Sequence, residues 1–222
     1  MLLGSRASGY EYVWTDACCI DKTSSAELSE AINSMYHWYQ EAEICYAYLA
    51  DTRSEGEIAK SRWFTRGWTL QGLIAPSRVV FLNGEWKMLG DKTDLRDKIP
   101  EYTGIPASIL SGEEDLETSS VAQRMSSTAK RQTSRVEDRA YSLMGIFSVN
   151  MPLIYGEGEN AFIRLQEEIM RISDDQSLFA WGSSDDRGGL LATSPGAFSH
   201  SHNVVRSNPF GTLDSPLTEA EA

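Results

Sequence analysis

The chain has 222 residues, of which 41% are hydrophobic, and a net charge of −12 at neutral pH. This length allows a substantial core, and the composition is typical of a globular protein. The negative charge argues against binding to nucleic acid or to anionic membranes, because polyanions repel it. The three cysteines match neither a disulfide framework nor a zinc spacing, and no apolar run is long enough to span a bilayer. We predict a cytoplasmic protein without a metal site.

The first part of the chain has the pattern strand, helix, strand. Residues 10–20 are rich in strand-forming residues and predict a strand that is covered on both faces. Residues 26–41 carry apolar residues at intervals of three and four, which predicts an amphipathic helix, and residues 44–49 predict a second strand. This order predicts two parallel strands joined by a crossover helix.

Residues 61–76 contain two tryptophans, a phenylalanine and two arginines within a few positions. Ser61 is suited to cap a helix, and the proline at the end of the stretch disfavours helix before it, so a short helix leading into a strand is predicted. In that helix Gln71 and Gly72 lie one turn beyond Trp68, on or beside the same face. The simplest interpretation is that the aromatic residues anchor the core and the arginines are solvated.

The remaining sequence predicts a β-hairpin, several helices and a tail. Asn83-Gly84 lies between the segments VVFL and EWKM, which predicts a hairpin with strands at residues 79–82 and 85–88. The predicted helices lie at residues 92–98, 106–110, 119–130, 138–147 and 159–172, and a last strand is predicted at residues 177–181. The tail is rich in Ser, Gly and Pro and is expected to be poorly ordered.

No nucleophile and base stand at a recognisable spacing. Asp16 and Asp21 lie in and just after the first predicted strand, where ligands bind to α/β sheets, although helix capping is the commoner role for such carboxylates. The glycines at 156 and 158 lack the residues that follow a phosphate-binding loop, so they predict a turn.

Several long blocks of sequence resemble one family. Residues 14–21 read WTDACCID and residues 62–71 read RWFTRGWTLQ, and later residues 138–147 read DRAYSLMGIF and residues 150–158 read NMPLIYGEG. In this order, and as far as Trp181, they resemble the fungal heterokaryon incompatibility (HET) domain and the region that follows it in many members.

The resemblance implies a role in fungal nonself recognition, in which the domain triggers the death of fused cells of incompatible type. It also implies an α/β fold similar to that of the Toll/interleukin-receptor (TIR) domain, a flavodoxin-like parallel sheet with flanking helices. The family's first sequence block is absent, so we expect a sheet that is incomplete at the N-terminus. We assign residues 10–90 to a partial HET domain, residues 91–181 to a helical extension and residues 182–222 to an irregular tail.

The resemblance also bears on catalysis, because some TIR relatives cleave NAD with a glutamate on a helix. Gly72 stands where the family usually has glutamate, so we predict an interaction module without catalysis or cofactor, which binds protein partners or itself. One alternative is an NAD glycohydrolase that uses Asp16, Asp21 or Glu43 instead. Another is a non-functional fragment of a larger incompatibility receptor. The candidate pocket or interaction residues are Trp14, Asp16, Asp21, Arg66, Trp68 and Gln71.

Overall fold

Three strands between residues 45 and 91 form a mixed sheet. The computed structural model describes residues 9–182 and 189–206. The strands are β1 (Cys45–Leu49), β2 (Val79–Asn83) and β3 (Met88–Asp91), in the order β1-β2-β3. β1 pairs parallel with β2, whereas β2 pairs antiparallel with β3. The fold is therefore of the mixed α/β class, which corrects the expectation of a parallel sheet.

Helices provide most of the other regular structure. The α-helices are α1 (Asp16–Cys19), α2 (Ser25–Glu41), α3 (Thr69–Ile74), α4 (Ile99–Thr103), α5 (Ala107–Ser111), α6 (Val121–Ser126), α7 (Asp138–Tyr141) and α8 (Asn160–Ile172). Short 3₁₀ helices lie at Glu55–Lys60, Arg62–Thr65, Leu116–Thr118, Gly145–Phe147, Gln176–Phe179 and Pro195–Phe198. Within the described residues, no helix combines the length and the apolar character needed to cross a bilayer.

The core covers both faces of β2, because all five residues of this strand are buried. Phe81, at its centre, has no exposed surface, and its ring centroid lies 5.9 Å from those of both Trp63 and Phe64. Leu70 and Leu73 of α3 belong to the same buried cluster. The Trp-rich stretch therefore supplies core residues, as its composition predicts.

Helix α2 begins almost where the sequence pattern predicts it. The Ser24 side chain accepts a hydrogen bond from the backbone N–H of Glu27 (3.3 Å), which caps the first turn. Ile32 and Met35 lie on its buried face. The predicted helix at residues 26–41 is confirmed, with a start one residue earlier.

The strand predicted at residues 10–20 is wrong. This segment is irregular apart from α1, and of its residues only Ile20 is buried. The Trp14 ring packs edge-on against Trp38, with 5.2 Å between the ring centroids. Strand-forming residues adopt a strand only where a neighbouring strand and a buried face are available. The parallel partner of β1 is β2, so the predicted strand-helix-strand unit does not form.

Residues 61–76 form two short helices rather than one. A 3₁₀ helix is followed by a turn at Gly67, whose N–H donates to the carbonyl oxygen of Gln132 (2.9 Å), and α3 begins beyond it. A Cβ at position 67 would lie 2.6 Å from Cγ2 of Thr133. The close approach of residues 132–133 therefore requires glycine and interrupts the helix, and the sequence pattern of the stretch alone does not reveal this contact.

The predicted hairpin is confirmed, although its turn is longer than expected. Oδ1 of Asn83 accepts hydrogen bonds from the backbone N–H groups of Glu85 and Lys87, both at 2.9 Å. These bonds hold residues 85–87 in a turn. The second strand therefore begins at Met88 instead of at residue 85.

The predicted helices after the hairpin are confirmed in part. α5, α6 and α8 correspond to the predictions at residues 106–110, 119–130 and 159–172, although α6 is shorter than predicted. Residues 92–98 form turns, and residues 138–147 form α7 and then a 3₁₀ helix rather than one continuous helix. The strand predicted at residues 177–181 is wrong, because most of it belongs to a 3₁₀ helix.

Part of the predicted irregular tail contributes to the core. Ala192 and Phe198 have no exposed surface. The Gln166 side chain holds Ala192 through two hydrogen bonds, of 2.7 Å to its carbonyl oxygen and 3.0 Å from its N–H. The expectation of poor order is therefore wrong for residues 189–206, while the rest of residues 182–222, apart from Gly182, lies outside the described residues.

A buried lysine links β3 to the end of α3 and leads to a first prediction. Nζ of Lys92 donates to the carbonyl oxygens of Ile74 (3.2 Å) and Pro76 (2.8 Å), and burial lowers the pKa of this amine from its ordinary value of 10.5 to about 8. Between these two values the unfolded chain holds a proton that the folded chain has lost, so stability rises with pH. The free energy of unfolding of wild type relative to Lys92→Met should rise by about 2 kcal/mol between pH 8 and pH 10.5. Urea denaturation at a series of pH values measures this difference in unfolding free energy. A difference that does not change with pH would contradict the prediction.

Candidate functional site

A cavity of about 690 Å³ lies among three segments that are far apart in sequence. Residues 16–35 form one side, residues 62–68 a second, and residues 132–138 with Tyr155 a third. This volume is within the range of small-molecule sites in proteins. The tertiary fold, rather than any local motif, therefore creates the candidate site.

One wall of the cavity is apolar. Leu28, Ile32 and Met35 lie at successive turns of α2, and Ile20 and Trp68 adjoin them. Trp68 is partly buried, because it packs on this cluster while its other side lines the cavity.

The cavity also contains a concentration of positively charged side chains. Lys22, Arg62, Arg66 and Arg135 all line it. In the part of the chain that the structure describes, none of these four side chains forms an ion pair with a carboxylate. The chain as a whole carries a net charge of −12, so this concentration of cations is opposite in sign to the molecule around it.

A buried carboxylate lies at the inner end of the 132–138 segment. Asp138 is 8% exposed, and its Oδ1 accepts a hydrogen bond from the Tyr155 hydroxyl (3.0 Å), while the Trp68 indole N–H also donates to this carboxylate. The Arg135 guanidinium lies over the Tyr155 ring, 4.3 Å from its centroid. Burial raises the pKa of Asp138 above its ordinary value, although both hydrogen bonds and Arg135 oppose the shift. Carboxylates with a raised pKa in a cavity are candidates for functional groups.

The loop that carries Tyr155 is held in place by two other glutamates. Oε1 of Glu137 accepts hydrogen bonds from the N–H groups of Gly156 (2.8 Å) and Gly158 (3.1 Å). Glu157 accepts one from the Tyr141 hydroxyl (2.8 Å) and forms an ion pair with Arg164. The glycine-rich segment is therefore a turn, as predicted, and these hydrogen bonds fix its position next to Tyr155.

The structure brings three of the six candidate residues to the cavity and places the others elsewhere. Asp16, Arg66 and Trp68 line it. Trp14 packs on α2 outside the cavity lining, and Oδ1 of Asp21 accepts from the N–H and hydroxyl of Thr23 in a local turn. Their functional roles stay predictions.

Two further predicted positions lie within α3, in the interior of the protein. Gln71 is buried, and its Nε2 donates to the carbonyl oxygen of Ser142 (2.8 Å). Gly72 is buried too, and the nearest atoms to a Cβ built there belong to Tyr39. Glu43, the third carboxylate of the alternative hypothesis, is exposed and accepts a hydrogen bond from Tyr10.

Sequence reasoning missed Asp138, Tyr155 and Arg135 as site residues. Asp138 was assigned to a mostly apolar helix, where a carboxylate at the first position suits the helix dipole. Its partner Trp68 is seventy positions earlier, and no periodicity links the two segments. Among the described residues, no group of three or more His, Cys, Asp or Glu side chains is placed to hold a metal ion.

The ionisation of Asp138 gives a prediction with a defined sign. Because folding raises the pKa of Asp138, the folded chain binds a proton more readily than the unfolded chain, so this residue adds stability as pH falls through its folded pKa towards 3.8. Wild type should therefore gain stability relative to Asp138→Asn when the pH is lowered from 7 towards about 4. Thermal denaturation of both proteins, with the exposed Asp97→Asn as control, tests this. A difference that stays constant over that range would show that Asp138 is not perturbed.

Comparison with known proteins identifies the family. Residues 1–61 match the heterokaryon incompatibility protein (HET) family, and residues 160–214 match a domain of unknown function (DUF8212). The chain is 49% identical over 173 residues to Vegetative incompatibility protein HET-E-1 of Podospora anserina. The chain belongs to the heterokaryon incompatibility (HET) family. The aligned residues make up 72% of this chain but only 13% of that relative, and no solved structure matches the chain significantly.

The cavity extends beyond the segment that matches the HET family. Asp16 and the apolar wall of α2 lie within residues 1–61, whereas Arg66, Trp68 and Asp138 lie after it. Both the HET segment and the region that follows it are therefore needed to build this site.

Proposed function

We propose that this chain acts in fungal nonself recognition, as the HET portion of a vegetative incompatibility protein that signals cell death. The observation that carries the proposal is the 49% identity to Vegetative incompatibility protein HET-E-1. The identity extends over 173 residues, well beyond the 61 residues that match the HET family, so the proposal draws on the region around the cavity as well.

The proposed mode of action is contact with proteins, including other copies of the chain, without catalysis. Trp14 and Trp38 support this mode, because each is 36% exposed although the two rings pack together. Exposed tryptophans are frequent among the residues that dominate interface energies. β1 also lies at an edge of the sheet, a position at which another strand can add.

The finer architectural proposal is a TIR-like, flavodoxin-like layer structure. Its support is the parallel pair of β1 and β2, whose connection contains α3 and so resembles the crossovers of such folds. The antiparallel β3 is compatible with it, because many α/β sheets carry one antiparallel edge strand.

One observation favours a second candidate function, NAD glycohydrolase activity. Asp138 offers a carboxylate in a cavity of suitable size, beside an indole and an arginine. A carboxylate near a developing ribosyl cation would promote loss of nicotinamide. We rank this second, because Asp138 is engaged by two hydrogen-bond donors from the protein itself.

Inducible expression in a filamentous fungus tests the main proposal. The chain should cause growth arrest and uptake of a vital dye within hours of induction, and Phe81→Asp, which places a charge in the core, should abolish the effect. Arg139→Gln, an exposed change on α7, is the matched control and should leave the effect intact. Normal growth of cells that accumulate the folded wild-type chain would contradict a death-signalling role.

A further inference from the structure

We propose that the cavity binds an organic phosphate, that is, a phosphate group attached to an apolar body. The proposal goes beyond incompatibility signalling, which would stand if no such ligand bound. It depends on the presence of both cationic and apolar side chains in the cavity lining.

The lining of the cavity carries a net positive charge. Four cationic side chains line the cavity against two carboxylates, Asp16 and Asp138, which leaves two net positive charges in a strongly acidic chain. Asp138 is already occupied by Tyr155 and Trp68. None of the four cations forms an ion pair with a carboxylate of the described residues, and Arg135 lies over the Tyr155 ring. A cavity with these properties attracts an anion, and arginines favour phosphate because their planar forks donate two parallel hydrogen bonds.

The backbone that carries Arg66 is fixed. The carbonyl oxygen of Arg66 accepts hydrogen bonds from the Thr69 hydroxyl and from Nη1 of Arg131, both at 2.9 Å. The neighbouring Gly67 is bound to Gln132, as described above. The side chain of Arg66 therefore leaves from a fixed point at the edge of the cavity, which lowers the entropy lost when it binds a ligand.

The apolar wall favours a ligand whose remaining part is apolar. Leu28, Ile32 and Met35 present one continuous aliphatic stripe, and Trp68 extends it. Inorganic phosphate would leave this wall uncovered, whereas an alkyl or nucleoside group would cover it and gain free energy from the apolar area removed from water. Both alkyl phosphates and nucleotides have this chemistry, and the experiment distinguishes them.

Isothermal titration calorimetry of the whole chain with octyl phosphate, ADP and inorganic phosphate tests the proposal. We expect saturable binding of octyl phosphate or ADP, weaker binding of inorganic phosphate, and a loss of affinity as salt is raised. Arg66→Gln should weaken binding about tenfold or more, because a charge-assisted hydrogen bond is lost, and Arg66→Lys should weaken it less. Arg139→Gln, exposed and outside the cavity lining, should have no effect.

A second variant tests the apolar wall separately. Leu28→Ser should weaken binding of the organic phosphate severalfold and leave that of inorganic phosphate unchanged, since Leu28 touches only the apolar body. Circular dichroism establishes that each variant is folded. The proposal is overturned if none of the three probes binds at millimolar concentration, if inorganic phosphate binds as tightly as the organic phosphates, or if folded Arg66→Gln binds as wild type does.

Discussion

Gly145→Ala is expected to destabilise the fold by about 3 kcal/mol. A Cβ built on Gly145 would lie 2.2 Å from Cβ of Tyr36 and 2.7 Å from its Cγ. These atoms are the stem of the Tyr36 side chain, which cannot rotate away while α2 keeps its place. The alanine must therefore push α2 away from the 3₁₀ helix at Gly145–Phe147, which it contacts closely.

Urea denaturation followed by circular dichroism measures this effect. Gly56→Ala is the matched control, because nothing lies within 4 Å of a Cβ at that position, and it should change stability by no more than about 0.5 kcal/mol. If Gly145→Ala is as stable as this control, α2 does not lie against residues 145–147 as described. The same contact attaches the apolar wall of the cavity to the rest of the protein, so Gly145→Ala should also lower the affinity of any ligand that binds in the cavity.

The parts of the fold that the sequence predicted are those fixed by local pattern. The helix at residues 26–41 is set by a capping serine and an apolar period, and the hairpin by Asn83. The strand expected at residues 10–20 failed because strand formation depends on a partner, and β1 pairs with β2 instead. The single helix expected at residues 61–76 failed for a similar reason, since the contact with Gln132 that interrupts it is nonlocal.

The candidate site likewise contains residues that a local sequence pattern indicates and residues that only nonlocal contacts bring together. Arg66 and Trp68 were candidates because they lie in a sequence block that resembles the HET family. Asp138 and Tyr155 carry no such signal, and their role depends on hydrogen bonds that span seventeen and seventy positions of the chain. Half of the site was therefore accessible from sequence, and the half that contains the buried carboxylate was not.

The second large effect concerns Gly72, the position that the family resemblance assigns to a catalytic glutamate. Gly72 is buried within α3, and a Cβ there would lie 3.5 Å from Cε1 and Cζ of Tyr39, which is an ordinary contact distance. Gly72→Ala should therefore fit, and it should stabilise the fold by about 0.5–1 kcal/mol because alanine is the better helix former. Gly72→Glu should instead destabilise it by about 3 kcal/mol or more, since its carboxylate would be buried against Tyr39. Thermal denaturation of the matched pair measures both effects.

The same geometry predicts the outcome for NAD. Residue 72 is not part of the cavity lining, so a glutamate placed there would not reach a substrate bound in the cavity. We expect no measurable nicotinamide release from the unmodified chain and no gain from Gly72→Glu, although a single preorganised group is worth a hundred- to a thousand-fold in rate where it meets the transition state. High-performance liquid chromatography of NAD incubations measures the nicotinamide released.

If the unmodified chain does release nicotinamide, Asp138→Asn should remove the activity while Gly72→Ala retains it, because Asp138 is the buried carboxylate that lines the cavity. Activity that survives Asp138→Asn would place the reacting carboxylate outside this site and would contradict the assignment of NAD cleavage to the cavity.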